Sequence, residues 1–191
     1  MYIVFEGIDG CGKSTQIELL KDIYKRAVFT KEPGGTSFGV KARELLLHSD
    51  IKSKKAELLL FLSDRAEHYE EVVKPNLDNL VLSDRGFISG IAYAMSSGFE
   101  LEFLLELNSF TLDNNLPQKI VLFIIDKETM ISRIGNRGAM DKIESRGFEY
   151  LLDIQDKMQQ VVEALGIEYL QIDAKESIET INRKIVDFIG E

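Results

Sequence analysis

Short runs of Val, Ile, Leu and Phe recur along the chain at Tyr2 to Glu6, Ala27 to Lys31, Leu80 to Ser83, Ile120 to Ile125 and Glu168 to Ile172. Runs of this length and composition predict strands buried on both faces of a sheet. Between them the period changes. Phe148, Leu151, Leu152, Gln155, Met158, Val162 and Leu165 stand three and four apart and stop at Gly166, which predicts an amphipathic helix with a glycine just past its end. Ile178, Ile181, Ile185, Phe188 and Ile189 repeat the pattern near the C-terminus. Strands alternating with helices imply a three-layer α/β fold, a five-stranded parallel sheet flanked by helices. The three prolines, Pro33, Pro75 and Pro117, fall near predicted loops or helix ends. No repeat or low-complexity tract divides the chain, so a single domain over 1–191 is expected.

Composition narrows the class of function. At 191 residues, with 45 % hydrophobic and 29 % charged residues, the chain has the make-up of a soluble globular protein. Its longest apolar runs, Leu58 to Leu62 and Val121 to Ile125, are far shorter than the roughly 20 residues that cross a bilayer. Together with a single cysteine, Cys11, this points to the cytoplasm and to no membrane partner. A net charge of −9 argues against nucleic acid as a partner, because phosphate contacts require a basic face. The short basic cluster Lys52, Lys54 and Lys55 is expected in a solvated loop.

The first strand breaks into Glu-Gly-Ile-Asp-Gly-Cys-Gly-Lys-Ser-Thr, ending at Thr15. Gly7-x-x-x-x-Gly12-Lys13-Ser14 between a strand and a helix over Thr15 to Lys25 is the P-loop pattern. Glycines allow the backbone N–H groups of Gly7, Ile8, Asp9, Gly10, Cys11 and Gly12 to wrap a nucleotide's phosphates at the positive end of the helix. Lys13 is expected to neutralise the β and γ oxygens, and Ser14 to ligate Mg²⁺. Cys11 reads as a small space-filler pointing away from the chemistry. Asp9 is out of place among donors meant for anions, so Mg²⁺, Arg85 or an acceptor hydroxyl is expected to satisfy it. No Asn-Lys-x-Asp tetrapeptide occurs, which argues against a guanine-nucleotide switch.

A kinase for a small acceptor requires an acceptor pocket facing the P-loop and a lid bearing arginine. Lys31-Glu-Pro-Gly-Gly-Thr36, Phe61-Leu-Ser-Asp-Arg-Ala-Glu-His68 and Ser83-Asp-Arg85 are expected to converge at the carboxyl ends of the strands. Phe61 and Arg65, four apart on a helix, share a face. Arg85 is suited to grip a phosphate, with an ion pair to Asp84 as the alternative. His48 and His68 show no partner that the sequence justifies.

In order and spacing, "FEGIDGCGKSTQ", "KEPGGT", "FLSDRAEH" and "SDR…AY" together resemble the thymidylate kinase family over nearly the whole chain. The resemblance implies a P-loop NTPase fold and transfer of the γ-phosphate of ATP to thymidine 5′-monophosphate, giving ADP and the diphosphate, usually in a homodimer with Mg²⁺. It implies acceptor contacts at Asp9, Pro33, Phe61, Arg65, Arg85 and Tyr93, with Phe61 stacking on thymine, Arg65 donating to its O4 and Tyr93 packing by the sugar. Asp9 is a second candidate metal ligand beside Ser14. The chain departs from the family pattern at Gly86, Phe87, Gly90 and Ala94, and Lys31 replaces a usual arginine. The segment from about 133 to 147 resembles the lid of bacterial relatives in which the lid supplies basic groups. Because the P-loop interior holds no arginine, Arg137 is expected at the transferred phosphoryl group and Arg133 at the phosphates or base of ATP, completing a catalytic set of Asp9, Lys13, Arg85 and Arg137. A kinase for another nucleoside monophosphate and a non-catalytic nucleotide-binding regulator are the alternatives.

Overall fold

The structure, a computed structural model, describes residues 1–134 and 147–190. Five parallel strands are present: β1 (Tyr2–Glu6), β2 (Val28–Lys31), β3 (Val81–Asp84), β4 (Lys119–Ile124) and β5 (Glu168–Asp173). Their order in the sheet is β2-β3-β1-β4-β5. Each lies within one residue of its predicted bounds. The helices are α1 (Lys13–Ile23), α2 (Ser37–His48), α3 (Lys54–His68), α4 (Phe87–Ser96), α5 (Leu101–Thr111), α6 (Lys127–Ile134), α7 (Phe148–Leu165) and α8 (Ile178–Ile189). The helix predicted from Thr15 begins two residues earlier, because Gly12 already takes the cap position.

Burial on both faces holds for the three inner strands only. β1 is buried throughout and β3 and β4 nearly so, whereas β2 and β5 close the sheet at its edges and leave residues such as Tyr169 exposed. Local caps explain where several helices start. Thr36, Ser53 and Ser177 each accept a bond from a backbone N–H three residues on, at 2.9, 3.2 and 3.2 Å. At its other end α7 stops at Gly166, whose φ of 62° is left-handed as the C′ position requires. Lys54 and Lys55 do not sit in a loop as expected; they form the exposed first turn of α3, while Lys52 pairs with Asp50.

The strand order determines the layout of the site. β1, which carries the P-loop, lies between β3 and β4, and β2 lies beyond β3. The loops after β1, β2 and β3 therefore emerge side by side, and the loops after β4 and β5 emerge on the other flank of the P-loop.

Candidate functional site

The cradle forms where β1 ends. Gly7, Gly10 and Gly12 have φ of 149°, 81° and 100°. At Gly7 a side chain is excluded twice over, since a Cβ would lie 2.8 Å from the Phe123 carbonyl as well as requiring a left-handed backbone. Lys13 folds back into its own loop, where Nζ donates to Gly7 O at 2.7 Å and Ile8 O at 3.1 Å. Its ammonium is thus held in place by two carbonyls of the loop. Cys11 is buried, but it does not point away from the chemistry: its Sγ lies 3.5 Å from Lys13 Nζ. Ser14 Oγ donates to Asp84 Oδ2 at 3.3 Å, so the carboxylate beside this hydroxyl comes from the end of β3.

Arg85 leaves β3 with φ 69°, and its partner is Asp9 rather than Asp84. Nη2 meets Asp9 Oδ1 at 2.7 Å, and Nη1 donates to Gly7 O at 2.7 Å and to Ser89 Oγ at 3.0 Å. Burial opposes the guanidinium's charge, but Asp9, with Tyr93, Glu6 and Asp84 nearby, outweighs it and raises the pKa further. Ser89 in turn donates to Glu6, which also accepts the Gly86 N–H at 2.8 Å. Burial pushes the Glu6 carboxyl above its ordinary range. The Asp9 carboxylate among anion-binding groups is therefore answered by Arg85, and the two are fixed to the mouth of the P-loop.

Beyond Arg85 a cleft opens between α3 and α4, walled by Pro33, Phe61, Arg65, Arg85, Ser89, Gly90 and Tyr93. All the predicted acceptor residues line it, Asp9 included. Arg65 is only 3 % exposed. Its Nε donates to Glu32 Oε2 at 2.8 Å, Nη1 to Asn108 Oδ1 at 2.6 Å and Nη2 to Gly86 O at 3.2 Å. Gly90, a departure from the family pattern, is explained by this packing: a Cβ there would stand 3.2 Å from Arg65 Nη2. Tyr93 stacks obliquely near Tyr150, with centroids 6.4 Å apart.

Several groups are not legible in the sequence, among them Asn108 behind Arg65, Asp84 beside Ser14, Arg43 and His68. Arg43 on α2 lines both the cleft and the phosphate cradle and donates to Pro33 O at 3.2 Å. It is an exposed residue next to the buried stripe Gly39, Ala42 and Leu46 of α2, a position that carries no signal in the sequence. His68 was assigned no partner, yet it is fully buried between Thr30 and Glu32. On the opposite flank, Arg133 donates to Gly10 O at 3.2 Å and to Ala174 O at 2.6 Å, and a second hollow runs from Gly12 past Arg133 to Ala174 and Ile178. Arg137 lies outside the described residues.

Asp64 holds the loop after β2 by accepting the Gly34 N–H at 3.1 Å. Burial, with Glu32 adding, raises its pKa from 3.8 to about 6. In the pH interval between these values the folded chain holds a proton that the unfolded chain has lost, so this group's stability contribution falls as pH rises to about 6 and stays low above it. Asp64→Asn keeps the carbonyl acceptor and removes the charge. Thermal melts are expected to show it about 2 to 6 °C more stable near pH 8, a gain that shrinks towards zero near pH 4. A gain independent of pH would contradict this.

Comparison with known proteins places these features in a family. The thymidylate kinase family profile matches residues 5–185. The chain is 54 % identical over 190 residues to the thymidylate kinase of Sulfurovum sp., covering 99 % of both proteins. It is 55 % identical over 193 residues to that of Campylobacter concisus, covering 100 % of this chain and 99 % of that one. The crystal structure of thymidylate kinase from Ehrlichia chaffeensis superposes with a TM-score of 0.79 at 26 % identity, covering 100 % of this chain and 98 % of that one. With its P-loop, its paired Asp9 and Arg85 and its α3–α4 cleft accounted for, the chain belongs to the thymidylate kinase family.

Proposed function

We propose that this chain transfers the γ-phosphoryl group of ATP to the 5′-phosphate of thymidine monophosphate, giving dTDP and ADP. The observation that carries this reading is a pair of adjoining hollows that share Asp9, Glu32, Arg43 and Arg85, one walled by an aromatic ring and a guanidinium, Phe61 and Arg65, and the other by the P-loop. A pyrimidine stacks on Phe61 and meets Arg65, while Arg85 and Arg43 hold its phosphate against the cradle. ATP lies across the P-loop towards Arg133 and Ala174. Lys13 and the loop's N–H groups then neutralise charge on the transferring group, and positioning supplies most of the rate. The acceptor oxygen is already anionic, so no strong general base is needed.

The hard oxygens of Ser14 and Asp84 suit Mg²⁺. Among the described residues no three His, Cys, Asp or Glu side chains gather as a metal cage, which fits an ion held mainly by phosphates and water. When bound, Mg²⁺ neutralises the donor's phosphate oxygens. Asp9 faces the acceptor, held there by Arg85. The segment 133–147 serves as the lid, and Arg137 supplies the cation for the transferred phosphoryl group. This assignment is supported by the P-loop interior, which holds no arginine between Gly7 and Lys13.

The chain functions as one domain in the cytoplasm, as a homodimer. The family profile's span of 5–185 supports the single domain. Among the described residues no helix is long and apolar enough to cross a membrane. The exposed Leu59 on α3 and Phe103 and Phe110 on the adjoining α5, the last 79 % exposed, provide apolar surface for a second copy. The test is an ADP-release assay with dTMP, UMP, CMP and AMP, with light scattering on the same preparation. We expect dTMP to be preferred and the mass to be that of a dimer. Faster turnover of UMP or CMP would overturn the acceptor assignment.

A further inference from the structure

We infer that His68 is a positioning residue for the acceptor site, acting through Glu32 on Arg65, and this rests on the reading of Arg65 as the contact to the base. His68 never reaches the cleft; it is 0 % exposed. Its Nδ1 lies 2.8 Å from Glu32 Oε1 and its Nε2 2.6 Å from Thr30 Oγ1. The other oxygen of Glu32 receives Arg65 Nε at 2.8 Å, and Arg65 Nη1 continues to Asn108. Thr30 and Glu32 belong to β2 and its exit loop, His68 and Arg65 to α3, and Asn108 to α5.

The chemistry gives this chain a direction. Burial alone would raise the Glu32 carboxyl, but Arg65 and His68 outweigh it and hold its pKa below the ordinary range. An ionised carboxylate only accepts, so Nδ1 of His68 carries a proton and donates. Each oxygen of Glu32 is thereby committed, one to His68 and one to Arg65. Without the first bond the carboxylate is free to turn, and the guanidinium loses the fixed acceptor that orients it.

The loop is shaped around the imidazole. A Cβ on Gly35 would lie 2.5 Å from His68 Cδ2 and 2.7 Å from Lys31 O, so the second glycine of the Pro-Gly-Gly turn makes room for the ring. Asp64, one turn before His68, holds Gly34 in the same loop. Residues 64, 65 and 68 of α3 thus grip 30, 32 and 34 and fix both Pro33 and Arg65 on the acceptor wall.

The experiment compares His68→Ala, His68→Asn and His68→Gln. An asparagine amide can occupy the place of Nδ1 and donate to Glu32, whereas a glutamine amide reaches the place of Nε2 beside Thr30. We expect His68→Ala and His68→Gln to raise KM for dTMP about tenfold or more, with kcat within about threefold and KM for ATP unchanged, and His68→Asn to return KM for dTMP to within about threefold of wild type. Melting temperatures of the Asn and Gln variants provide the control for folding. Equal KM for Asn and Gln variants, or parallel rises in KM for dTMP and ATP, would show that the ring only fills the core. Calorimetry of wild type with dTMP separates the two readings: no dTMP binding overturns both, whereas normal binding with variants that do not differ overturns this one alone.

Discussion

Replacing Lys13 with alanine is expected to lower kcat by about a thousandfold or more while leaving the melting temperature within a few degrees of wild type. The side chain is buried at the root of the P-loop, and its ammonium already lies 2.7 Å from Gly7 O and 3.1 Å from Ile8 O. It therefore pays little reorganisation when phosphate oxygens replace those carbonyls. The loop itself holds no other cation between Gly7 and Lys13, and the two guanidiniums that reach it from outside, Arg85 at Gly7 O and Arg133 at Gly10 O, are also bonded to Asp9 and to Ala174 O. Lys13→Arg is not expected to rescue, because Cys11 Sγ and the loop carbonyls close the space that a larger head would need. Single-turnover measurement with saturating ATP and dTMP reads the effect. A variant keeping more than about a tenth of wild-type turnover would contradict the cradle assignment.

The second large loss is expected at Arg85. Its guanidinium joins Asp9, the Gly7 carbonyl and Ser89 from one planar group, and it stands between the phosphate cradle and the acceptor cleft. Arg85→Ala removes the cation that faces Asp9 and leaves that carboxylate to repel the acceptor's phosphate. We expect kcat/KM for dTMP to fall about 100- to 1000-fold, with KM for ATP changed only a few-fold. Arg85→Lys is expected to recover little, since a point charge cannot meet three acceptors held apart around a fork. Full recovery by lysine would show that a point charge suffices there, and an equal loss of affinity for ATP would place Arg85 on the donor side instead.

What the sequence made legible was local. The strand runs, the glycine stop after α7 and the strand–loop–helix context of the P-loop are written in residues close to one another, so their bounds fall within a residue or two of those observed. Phe61 and Arg65 were found together because helical spacing places them on one face. Partners distant in the chain were not legible. For Arg85 both Asp84, its neighbour, and Asp9, 76 residues away, stood as possible partners, and only the structure selects Asp9. His68 lies 36 residues from Glu32, and Arg65 lies 43 from Asn108, distances at which no periodicity carries information. The half-exposure of β2 and β5 was hidden for the same reason, since whether a strand is central or at the edge depends on sheet order.

The buried polar groups show how these distant partners are selected. Glu32, Asp64, Arg65 and His68 are each almost completely removed from water, which is costly unless each is bonded. Their mutual contacts fix the loop after β2 against α3 and leave Arg65 immobile at the back of the cleft. Apolar packing of equal volume could have stabilised the same helix, but it would not have set the direction of a guanidinium.

The central claim is transfer of a phosphoryl group between two nucleotides on this cleft. Incubation with ATP labelled at the γ-phosphate and with unlabelled dTMP tests it directly. Label is expected in dTDP, in equal amount to the ADP released and with little free phosphate. Tight ATP binding with no labelled product from dTMP or any other nucleoside monophosphate would contradict it.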